Sequence, residues 1–446
     1  MLANLASLQY QTMTPIQAQS LPAILNGKDV LAQAKTGTGK TVAFALGLLQ
    51  TIDAKQYSTQ ALVLCPTREL ADQVSKEIRR LARVVANIKI LTLCGGSPLA
   101  PQITSLEYSP HIVVGTPGRI KQHLQKASLS LDALKVLVLD EADRMLDMGF
   151  QEDINRIIRN TPAKKQTLLF SATYADEIQA ISHTIQHDPV EIRTEISHDN
   201  KQLKQVFYAI QKGSRTKTLI KLLQHYRPAS TVVFCNRKQQ CQELADDLWE
   251  KGLHAQALHG DLEQREREQV LVQFTNKSSS ILVATDVAAR GLDIKDLECV
   301  INFELSPDPE VHIHRIGRTG RAGKEGLAIS LFMESERFRV ESIEAYQNQP
   351  VEIRPLASLK EREYFKMIPP MVTLCINGGR KDKVRAGDIL GAITASKDIP
   401  GKQIGKIDVF DKQTFVAVER SIAKQALKIL TEGKIKGRKF RVRKLR

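Results

Sequence analysis

Short runs of apolar residues alternate along most of the chain with segments whose apolar positions recur every three or four residues. Up to about Thr194 the runs have the length of buried strands, and the segments between them have the period of amphipathic helices. The candidate strands are residues 30–32, 61–65, 88–93, 112–114, 136–139 and 167–170. Strands that alternate with helices at this spacing predict a parallel sheet with helices packed on it.

The same alternation starts again after the polar stretch 195–204, and a second polar stretch, 354–370, ends it. Its candidate strands are residues 231–235, 255–258, 281–284, 300–303 and 327–331. The last part of the chain has a shorter pattern of strand, helix, strand, strand, helix, strand. These elements are residues 372–376, 388–394, 404–410, 415–418, 422–430 and 440–442. Their order is that of a small RNA-recognition fold.

We therefore predict an α/β protein of three domains. Residues 1–195 and 204–353 would each form a parallel-sheet domain, and residues 371–446 a small α+β domain. A length of 446 residues suffices for three separate cores. No run of eighteen uninterrupted apolar residues occurs, and residues 1–10 lack the pattern of a secretion signal. These features predict a cytoplasmic protein with no membrane partner.

The six cysteines are scattered without a Cys-x-x-Cys pair, and several lie inside apolar runs. This distribution predicts reduced, buried thiols rather than a metal site.

The positive charge of the chain is concentrated near its C-terminus. The formal net charge is +15, and residues 371–446 account for +12 of it, with 12 Lys and 7 Arg against 7 acidic residues. Eight of the last thirteen residues are basic, and none of them is acidic. Such a concentration predicts a polyanion partner, for which nucleic acid is the natural candidate. A solvated charged face is the alternative interpretation.

One glycine-rich segment follows the first predicted strand and precedes a predicted helix. Its glycines leave room for phosphate groups, and N–H groups at a helix start point at an anion. Lys40 adds a positive charge, and Thr41 a hydroxyl for Mg²⁺. The segment is Ala34-Lys35-Thr36-Gly37-Thr38-Gly39-Lys40-Thr41, in which Ala34 replaces the first glycine of the usual phosphate-binding pattern. The alternative is an ordinary turn between a strand and a helix.

Asp140 and Glu141 directly follow the apolar run 136–139, which suits a strand buried on both faces. The carboxyl end of such a strand is where parallel sheets bind ligands. We expect Asp140 to hold Mg²⁺ from the side opposite Thr41, and Glu141 to orient and deprotonate an attacking water. Alternatively, the two carboxylates simply cap the helix that follows.

Several further motifs occur in a fixed order. They are residues 66–70, 95–96, 116–119, 140–143, 171–173, 264–267, 289–293 and 314–321. In order and spacing they resemble the motifs of the DEAD-box RNA helicases over residues 10–332, and the C-terminal domain is similar to the RNA-binding domain of the DbpA branch. The resemblance implies two tandem RecA-like domains, an RRM-like C-terminal domain and ATP-dependent unwinding of RNA with Mg²⁺.

The resemblance also implies roles for single residues at the nucleotide. Tyr10 and Gln17 would contact the adenine, and Asp293 the ribose. Gln9 stands where the family usually has a glycine. The spacing i, i+4, i+7 would place three basic residues on one face of a helical turn, where the arginines act as fingers on the γ-phosphate. These residues are His314, Arg318 and Arg321.

Two further sets of residues are implied for the core. The hydroxyls of Ser171 and Thr173 would bond Asp143 and so connect the nucleotide site to the RNA site. Loops that follow predicted strands would contact the RNA backbone. Such contacts do not depend on the base sequence. The residues of this second set are Arg68, Gly96, Thr116, Arg119, Arg267 and Thr285.

Recognition of a particular RNA would then belong to the C-terminal domain. Its predicted third strand carries a single aromatic residue, Phe415, where an ordinary RRM places two neighbouring aromatics for base stacking. This difference favours recognition of a structured hairpin by basic side chains. The candidates are Lys434, Lys436, Arg438, Arg441 and Arg443. The DbpA resemblance implies a hairpin of large-subunit (23S) ribosomal RNA within a pre-ribosomal particle, and a role in 50S assembly.

Two other activities fit the same residues. An ATP-gated RNA clamp or assembly platform would hold ribosomal precursor with little unwinding. A DNA translocase would share the core, although the RNA-recognition-like C-terminal domain argues against it. A strand-displacement assay with and without ATP distinguishes the helicase from the clamp. Comparing stimulation of the ATPase by RNA and by DNA distinguishes the helicase from the translocase.

Overall fold

The computed structural model describes residues 2–34, 38–174, 176–193, 203–289, 297–320, 325–360, 366–395 and 398–445. The chain divides into two compact units. The first unit contains the N-terminal sheet, and the second contains both the second sheet and the C-terminal domain.

The first unit is a parallel sheet with helices on both faces, as the alternating pattern predicts. Its strands are β1 (Val30–Gln33), β2 (Ala61–Leu64), β3 (Ile90–Leu93), β4 (Ile112–Gly115), β5 (Val136–Asp140), β6 (Gln166–Ser171) and β7 (Val190–Arg193). Its helices are α1 (Leu2–Ser7), α2 (Pro15–Leu25), α3 (Lys40–Thr51), α4 (Arg68–Leu81), α5 (Leu99–Leu106), α6 (Pro117–Gln125), α7 (Ala142–Asp147), α8 (Gln151–Arg159) and α9 (Asp176–Ile185). The strand order is β3-β4-β2-β5-β6-β1-β7.

Successive residues of the central strands fill opposite faces of this sheet. In β1, Val30 and Ala32 belong to one apolar core and Leu31 to the core on the other side. Because both faces are covered, these strands are apolar at every position, which makes them recognisable in the sequence. At the edge strand β7, Glu191 and Arg193 are exposed and Ile192 is buried. A half-exposed edge strand has a weak hydrophobic pattern, so β7 is not predicted from the sequence.

The second sheet has the same parallel construction. Its strands are β8 (Leu203–Ile210), β9 (Thr231–Cys235), β10 (Ala255–Leu258), β11 (Ile281–Thr285), β12 (Cys299–Asn302), β13 (Gly326–Met333) and β14 (Ile353–Arg354). Its helices are α10 (Arg215–Tyr226), α11 (Lys238–Glu250), α12 (Gln264–Thr275), α13 (Asp286–Ala289), α14 (Pro309–Ile316) and α15 (Arg337–Gln347). The strand order is β10-β11-β9-β12-β13-β8-β14.

Both predicted linkers need correction where the structure describes them. Strand β8 begins at Leu203, inside the first polar stretch, and its side chains Val206 and Tyr208 enter the core of the second sheet. In the second stretch, Leu359 and Met367 are buried in the same core. Isolated apolar residues within a polar segment anchor it to the domain, although they give no periodic pattern.

The C-terminal domain is an antiparallel sheet with two helices on one face. Its strands are β15 (Met371–Ile376), β16 (Ile404–Val409), β17 (Thr414–Glu419) and β18 (Val442–Lys444), and its helices are α16 (Ala386–Thr394) and α17 (Ala423–Glu432). The described strands lie in the order β16-β17-β15-β18. Alternate residues of β15 and β17, including Leu374 and Val416, form the core with the helices. The predicted order of elements is therefore correct.

The opposite face of this small sheet is covered by the second sheet domain. Phe415 is 1% exposed and forms an apolar cluster with Cys375, Leu445 and Val272 of α12. The hydroxyl of Thr373 lies 2.6 Å from that of Ser278 and 3.4 Å from the amide nitrogen of Asn276. The backbone N–H of Met371 also donates to the Lys277 carbonyl. Contacts of this kind fix the C-terminal domain against the second domain.

The six cysteines are free, and five of them are buried, as predicted. Among the helices that the structure describes, none is both long and apolar enough to cross a membrane.

Candidate functional site

Strands β1, β5 and β6 are neighbours in the first sheet, and their carboxyl ends bring the predicted nucleotide residues together. Asp140 pairs with Phe170 in register, and Gln33 pairs with Ser171. The N–H of Ala34 then donates to the Ser171 carbonyl at 2.9 Å. Lys35, Thr36 and Gly37 lie outside the described residues, and the segment is described again from Thr38 onward.

Gly39 occupies a position that only glycine fits. Its φ is +96°, and a Cβ atom there would lie 2.5 Å from Nε2 of Gln17. The Gln17 amide donates to the Gly39 carbonyl at 3.1 Å and accepts from the Thr14 N–H at 3.0 Å. Gln17 therefore ties the start of α2 to the glycine-rich segment. One amide N–H and one lone pair of Gln17 remain for the edge of a base.

Lys40 begins α3, and Asp140 ends β5. Both side chains are buried, at 5% and 2% exposure. Within the described part of the chain, Nζ of Lys40 and Oδ1 of Asp140 have no hydrogen-bond partner. Burial raises the pKa of the Asp140 carboxyl to about 6, while the positive charge of Lys40 opposes that rise. A buried cation and a buried carboxylate oxygen therefore face this edge of the sheet. Thr41 follows in the first turn of α3 and is partly exposed.

Glu141 has a left-handed backbone conformation, with φ of +56° and ψ of +53°. Such a conformation in a non-glycine residue costs about 1–3 kcal/mol and persists where surrounding contacts impose it. One of these contacts is an ion pair in which Nη1 of Arg144 donates to Oε2 of Glu141 at 2.7 Å. The side chains of Glu141 and Arg144 are only 2% and 5% exposed. Arg144 thus orients the carboxylate that the sequence assigns to water activation.

Asp143 connects β5 to the end of β6. Its Oδ2 accepts from the backbone N–H groups of Ala172 at 3.0 Å and Thr173 at 3.2 Å. The expectation that the hydroxyls of Ser171 and Thr173 make this contact is wrong, because the donors to Asp143 are backbone N–H groups. The turn after β6 points two successive N–H groups at the carboxylate, while the Ser171 hydroxyl accepts from the Thr173 N–H at 3.2 Å.

The predicted RNA residues of the first domain follow strands β2, β3 and β4, at the same edge of the sheet. Gly96 has φ of +72°, and a Cβ atom there would lie 1.6 Å from Nη1 of Arg68. Thr116 precedes α6 and is nearly buried. Arg119 donates to Oε1 of Gln102 at 3.0 Å and to the Ser97 carbonyl at 2.9 Å. These bonds orient Arg119 within its own domain and hold the loop that follows β3.

Tyr10 is half-buried against α4. Its hydroxyl donates to Oε1 of Glu77 at 2.6 Å, and Cζ of Arg80 lies 5.7 Å from the centre of its ring. Burial and the Glu77 carboxylate raise the pKa of Tyr10 to about 12. Gln9, where a glycine is usual, adopts φ of +64°. Glycine takes this conformation without strain, which explains why the family usually has a glycine at this position.

In the second unit, Thr285 ends β11 and is buried, and Arg267 lies half-buried on α12. The expectation that His314 and Arg318 share one helix is wrong, because α14 ends at Ile316 and Gly317 is its cap. Arg318 follows in a turn, where its N–H donates to the Arg315 carbonyl at 3.2 Å. Asp293 and Arg321 lie outside the described residues.

The predicted basic residues of the C-terminal domain are all exposed. Ile435 is buried, whereas the residues that follow it project into solvent. The exposed residues are Lys434, Lys436, Arg438, Arg441 and Arg443.

Comparisons with known proteins match this architecture along the chain. The family described as DEAD/DEAH box helicase matches residues 14–181, the helicase conserved C-terminal domain matches residues 214–323, and the DbpA RNA binding domain matches residues 373–444. The ATP-dependent RNA helicase DbpA of Escherichia coli (strain K12) is 54% identical over 452 aligned positions, which cover 100% of this chain and 97% of that protein. The chain belongs to the DEAD-box RNA helicases of the DbpA branch.

Other relatives and solved structures are similar to about three quarters or more of this helicase. The ATP-dependent RNA helicase CshA of Listeria monocytogenes is 45% identical over 73% of this chain and 63% of its own length. The structure of S. cerevisiae Dbp5 bound to RNA and ADP BeF3 has a TM-score of 0.73 and 30% identity, and covers 80% of this chain and 93% of that one. Mss116p bound to ssRNA and AMP-PNP has a TM-score of 0.71 at 28% identity, and covers 81% of this chain and 77% of that one.

Two buried arginines near the predicted residues were missed by the sequence analysis. One is Arg144, the partner of Glu141. The other is Arg315, which is 2% exposed and donates to both carboxylate oxygens of Asp286, at 2.6 and 2.7 Å. Arg315 also donates to the Glu304 carbonyl at 2.7 Å, and so joins α14 to the start of α13 and to the segment that follows β12. Arginines are rarely buried, and no periodic pattern marks the exceptions.

We expect Gly96→Ala to weaken RNA binding and to leave ATP binding intact. The added methyl group would displace the Arg68 guanidinium, so the KM for RNA in the ATPase reaction should rise about tenfold or more. Gly27→Ala is the matched control, because Gly27 has the same φ of +72° with nothing within 4 Å of the added atom. Equal RNA affinities in the two variants would mean that Arg68 does not contact RNA.

We expect Arg144→Met to destabilise the first domain by about 3–5 kcal/mol, because it leaves the Glu141 carboxylate buried without its cation. The double variant Arg144→Met/Glu141→Gln removes both charges and should recover most of this loss. Denaturant unfolding of the single and double variants measures the coupling. If the losses of unfolding free energy in the single variants simply add in the double variant, the ion pair contributes nothing to the stability of the folded state.

Proposed function

We propose that this RNA helicase acts on a hairpin of 23S ribosomal RNA during assembly of the 50S subunit, with the pre-ribosomal particle as its partner. The observation that supports this most strongly is the match of residues 373–444 to the DbpA RNA binding domain, combined with the exposed basic segment at its end. The E. coli relative shares this domain arrangement along its whole length.

The basic segment offers a preorganised binding element. Ile435 and Arg438 bond each other through both backbone groups, at 2.8 and 3.1 Å. Lys436 and Gly437, between them, have φ of +51° and +80°, which is the pattern of a tight two-residue turn. Ile435 is buried and anchors this turn to the domain. The cationic side chains therefore extend from a fixed backbone, which reduces the entropy lost when they bind phosphates.

The usual base-stacking face of the domain is not offered to RNA, because Phe415 lies under α12. This agrees with the expectation from its single aromatic residue. The exposed lysines and arginines instead favour binding of a folded hairpin through its backbone and loop.

The first domain would hold ATP with magnesium at the carboxyl edge of β1, β5 and β6. Nζ of Lys40 and Oδ1 of Asp140, which have no partner among the residues that the structure describes, fit a phosphate oxygen and the hydration shell of a divalent cation. Thr41 and Asp140 would hold the metal through phosphates and water, and the bound metal would supply charge neutralisation at the phosphates. Glu141 would orient the attacking water. Contacts of Gln17 and Tyr10 with adenine, and of His314 and Arg318 with the γ-phosphate, stay predictions.

ATPase activity against a tiled set of 23S ribosomal RNA fragments tests the target. We expect one fragment to stimulate hydrolysis at concentrations at least about tenfold lower than fragments of equal length from elsewhere. Fragments of 16S ribosomal RNA are the control. Uniform stimulation by all fragments would contradict a directed role and would favour a general RNA helicase.

A further inference from the structure

A cavity of about 240 Å³ opens where the C-terminal domain meets the second sheet domain. The second domain contributes the end of α11, the residue before β10 and the loop between α12 and β11. The C-terminal domain contributes β15, the end of β18 and the turn after β17. The lining residues are Trp249, His254, Ser278, Met371, Val372, Thr373, Arg420, Lys444 and Leu445. None of these lining residues is acidic. None of the lining residues is among those assigned above to ATP or RNA.

Aromatic and cationic groups converge in this cavity. The ring of Trp249 meets the ring of His254 edge to face, with centroids 5.2 Å apart, and the tryptophan is still 41% exposed. Arg420 is held in place by its own backbone N–H and its Nε, which donate to the carbonyls of Pro370 and Pro369 at 2.9 and 2.7 Å. Lys444 is exposed at the end of β18. Burial and the charges of Arg420 and Lys444 lower the pKa of His254, so the imidazole is neutral at pH 7.

We propose that this cavity binds one unpaired nucleotide of an RNA strand, with its base against Trp249 and a flanking phosphate between Arg420 and Lys444. An aromatic ring beside cationic side chains is the arrangement by which proteins hold single-stranded nucleic acid without reading its sequence. The volume lies below the roughly 300–1,000 Å³ of common small-molecule sites, so it suits one base of a strand. The proposal depends on RNA binding by this helicase and does not depend on the ribosomal target.

A purely structural explanation would assign Trp249 to packing the end of α11 on His254. That explanation accounts for the edge contact between the two rings. Packing also explains the bonds of Arg420 to the carbonyls of Pro369 and Pro370, but it does not explain a cavity that is lined by two cations and no carboxylate. Because the cavity is built from both domains, a strand bound in it would also brace the C-terminal domain against the second sheet domain.

Trp249 is the single tryptophan of the chain, so its fluorescence reports on this cavity alone. We expect a short oligouridylate to quench the emission of the full-length protein in a saturable manner, and a blunt RNA duplex to leave it unchanged. Lys444→Gln should reduce the slope of log affinity against log salt by about 0.7. Lys251→Gln is the matched control, since Lys251 is exposed at the end of α11 and outside the cavity.

A second readout uses an RNA hairpin with and without a short single-stranded extension. The extension should tighten binding about 5- to 150-fold, the effect of stacking one base. Trp249→Ala should abolish this gain, and Trp249→Phe should retain most of it. Loss of the gain in both variants would show that the ring has a purely structural role, and would overturn the proposal.

ATP hydrolysis measured in the same samples shows when the helicase is saturated with RNA. Unchanged Trp249 emission under full RNA stimulation would overturn the nucleotide site and leave the helicase activity established. Equal quenching by polyglutamate, which is anionic and has no bases, would also overturn it. Quenching confined to single-stranded RNA, and reduced by Lys444→Gln but not by Lys251→Gln, supports it.

Discussion

Replacing Lys40 by alanine is expected to lower kcat/KM for ATP by about 10²-fold or more, and Glu141→Gln to lower kcat by about 10²–10⁴-fold. The two substitutions should affect different kinetic constants. Lys40 is buried at the edge of the sheet to which we assign the phosphates, so its loss should raise the KM for ATP and also slow turnover. If Glu141 orients the attacking water, as we propose, its replacement by an uncharged isostere should leave the KM for ATP nearly unchanged.

Two exposed residues of the same domain provide matched controls for these variants. Lys28 precedes β1 and Glu152 lies on α8, and both side chains face solvent. Lys28→Ala and Glu152→Gln change charge by the same amount and should retain wild-type steady-state kinetics. Wild-type activity in purified Lys40→Ala or Glu141→Gln would contradict the assignment of this edge of the sheet to ATP.

Neutralising the basic turn is expected to remove the preference for one RNA. In the triple variant Lys434→Gln/Lys436→Gln/Arg438→Gln, the slope of log affinity against log salt should fall by about 2–3. Affinity for the preferred fragment should fall about tenfold or more at physiological salt, while basal ATP hydrolysis is unchanged. Filter binding over a series of salt concentrations measures both quantities.

Charge replacement is a sharper test of this domain than its deletion. Removing residues 371–446 would uncover Val272 and the Asn276–Ser278 loop of the second domain, and so would alter that domain as well. A triple lysine variant of the first domain, Lys28→Gln/Lys55→Gln/Lys126→Gln, changes the net charge equally at exposed positions. An equal loss of affinity in this control would show that the effect is a general one of net charge.

The sequence predicts those parts of the fold in which a strand is buried on both faces. Strands such as β2 and β5 are buried at every position and apolar up to Asp140, and the candidate ligand-binding loops follow them directly, so Asp140 could be placed at a sheet edge from the sequence alone. The edge strand β7 and the start of β8 have mixed polarity, and their positions depend on pairing with distant strands.

The contacts of the candidate residues are less predictable than their positions. Asp143 could be linked to the residues after β6, but its donors are backbone N–H groups, whose direction depends on the turn. Burial of Arg144 and of Arg315 depends on how helices pack on the sheet. The covering of Phe415 by α12 depends on docking between domains, which no local pattern encodes.

The central claim is that ATP and RNA bind at one edge of the first sheet and are coupled through Asp143. The most direct test measures RNA affinity with and without AMP-PNP, in the wild type and in Asp143→Asn. Coupling free energies of 1–3 kcal/mol are common, so the nucleotide should tighten RNA binding about 5- to 150-fold in the wild type. We predict almost no tightening in Asp143→Asn, with RNA affinity in the absence of nucleotide preserved. Undiminished coupling in Asp143→Asn would contradict the account.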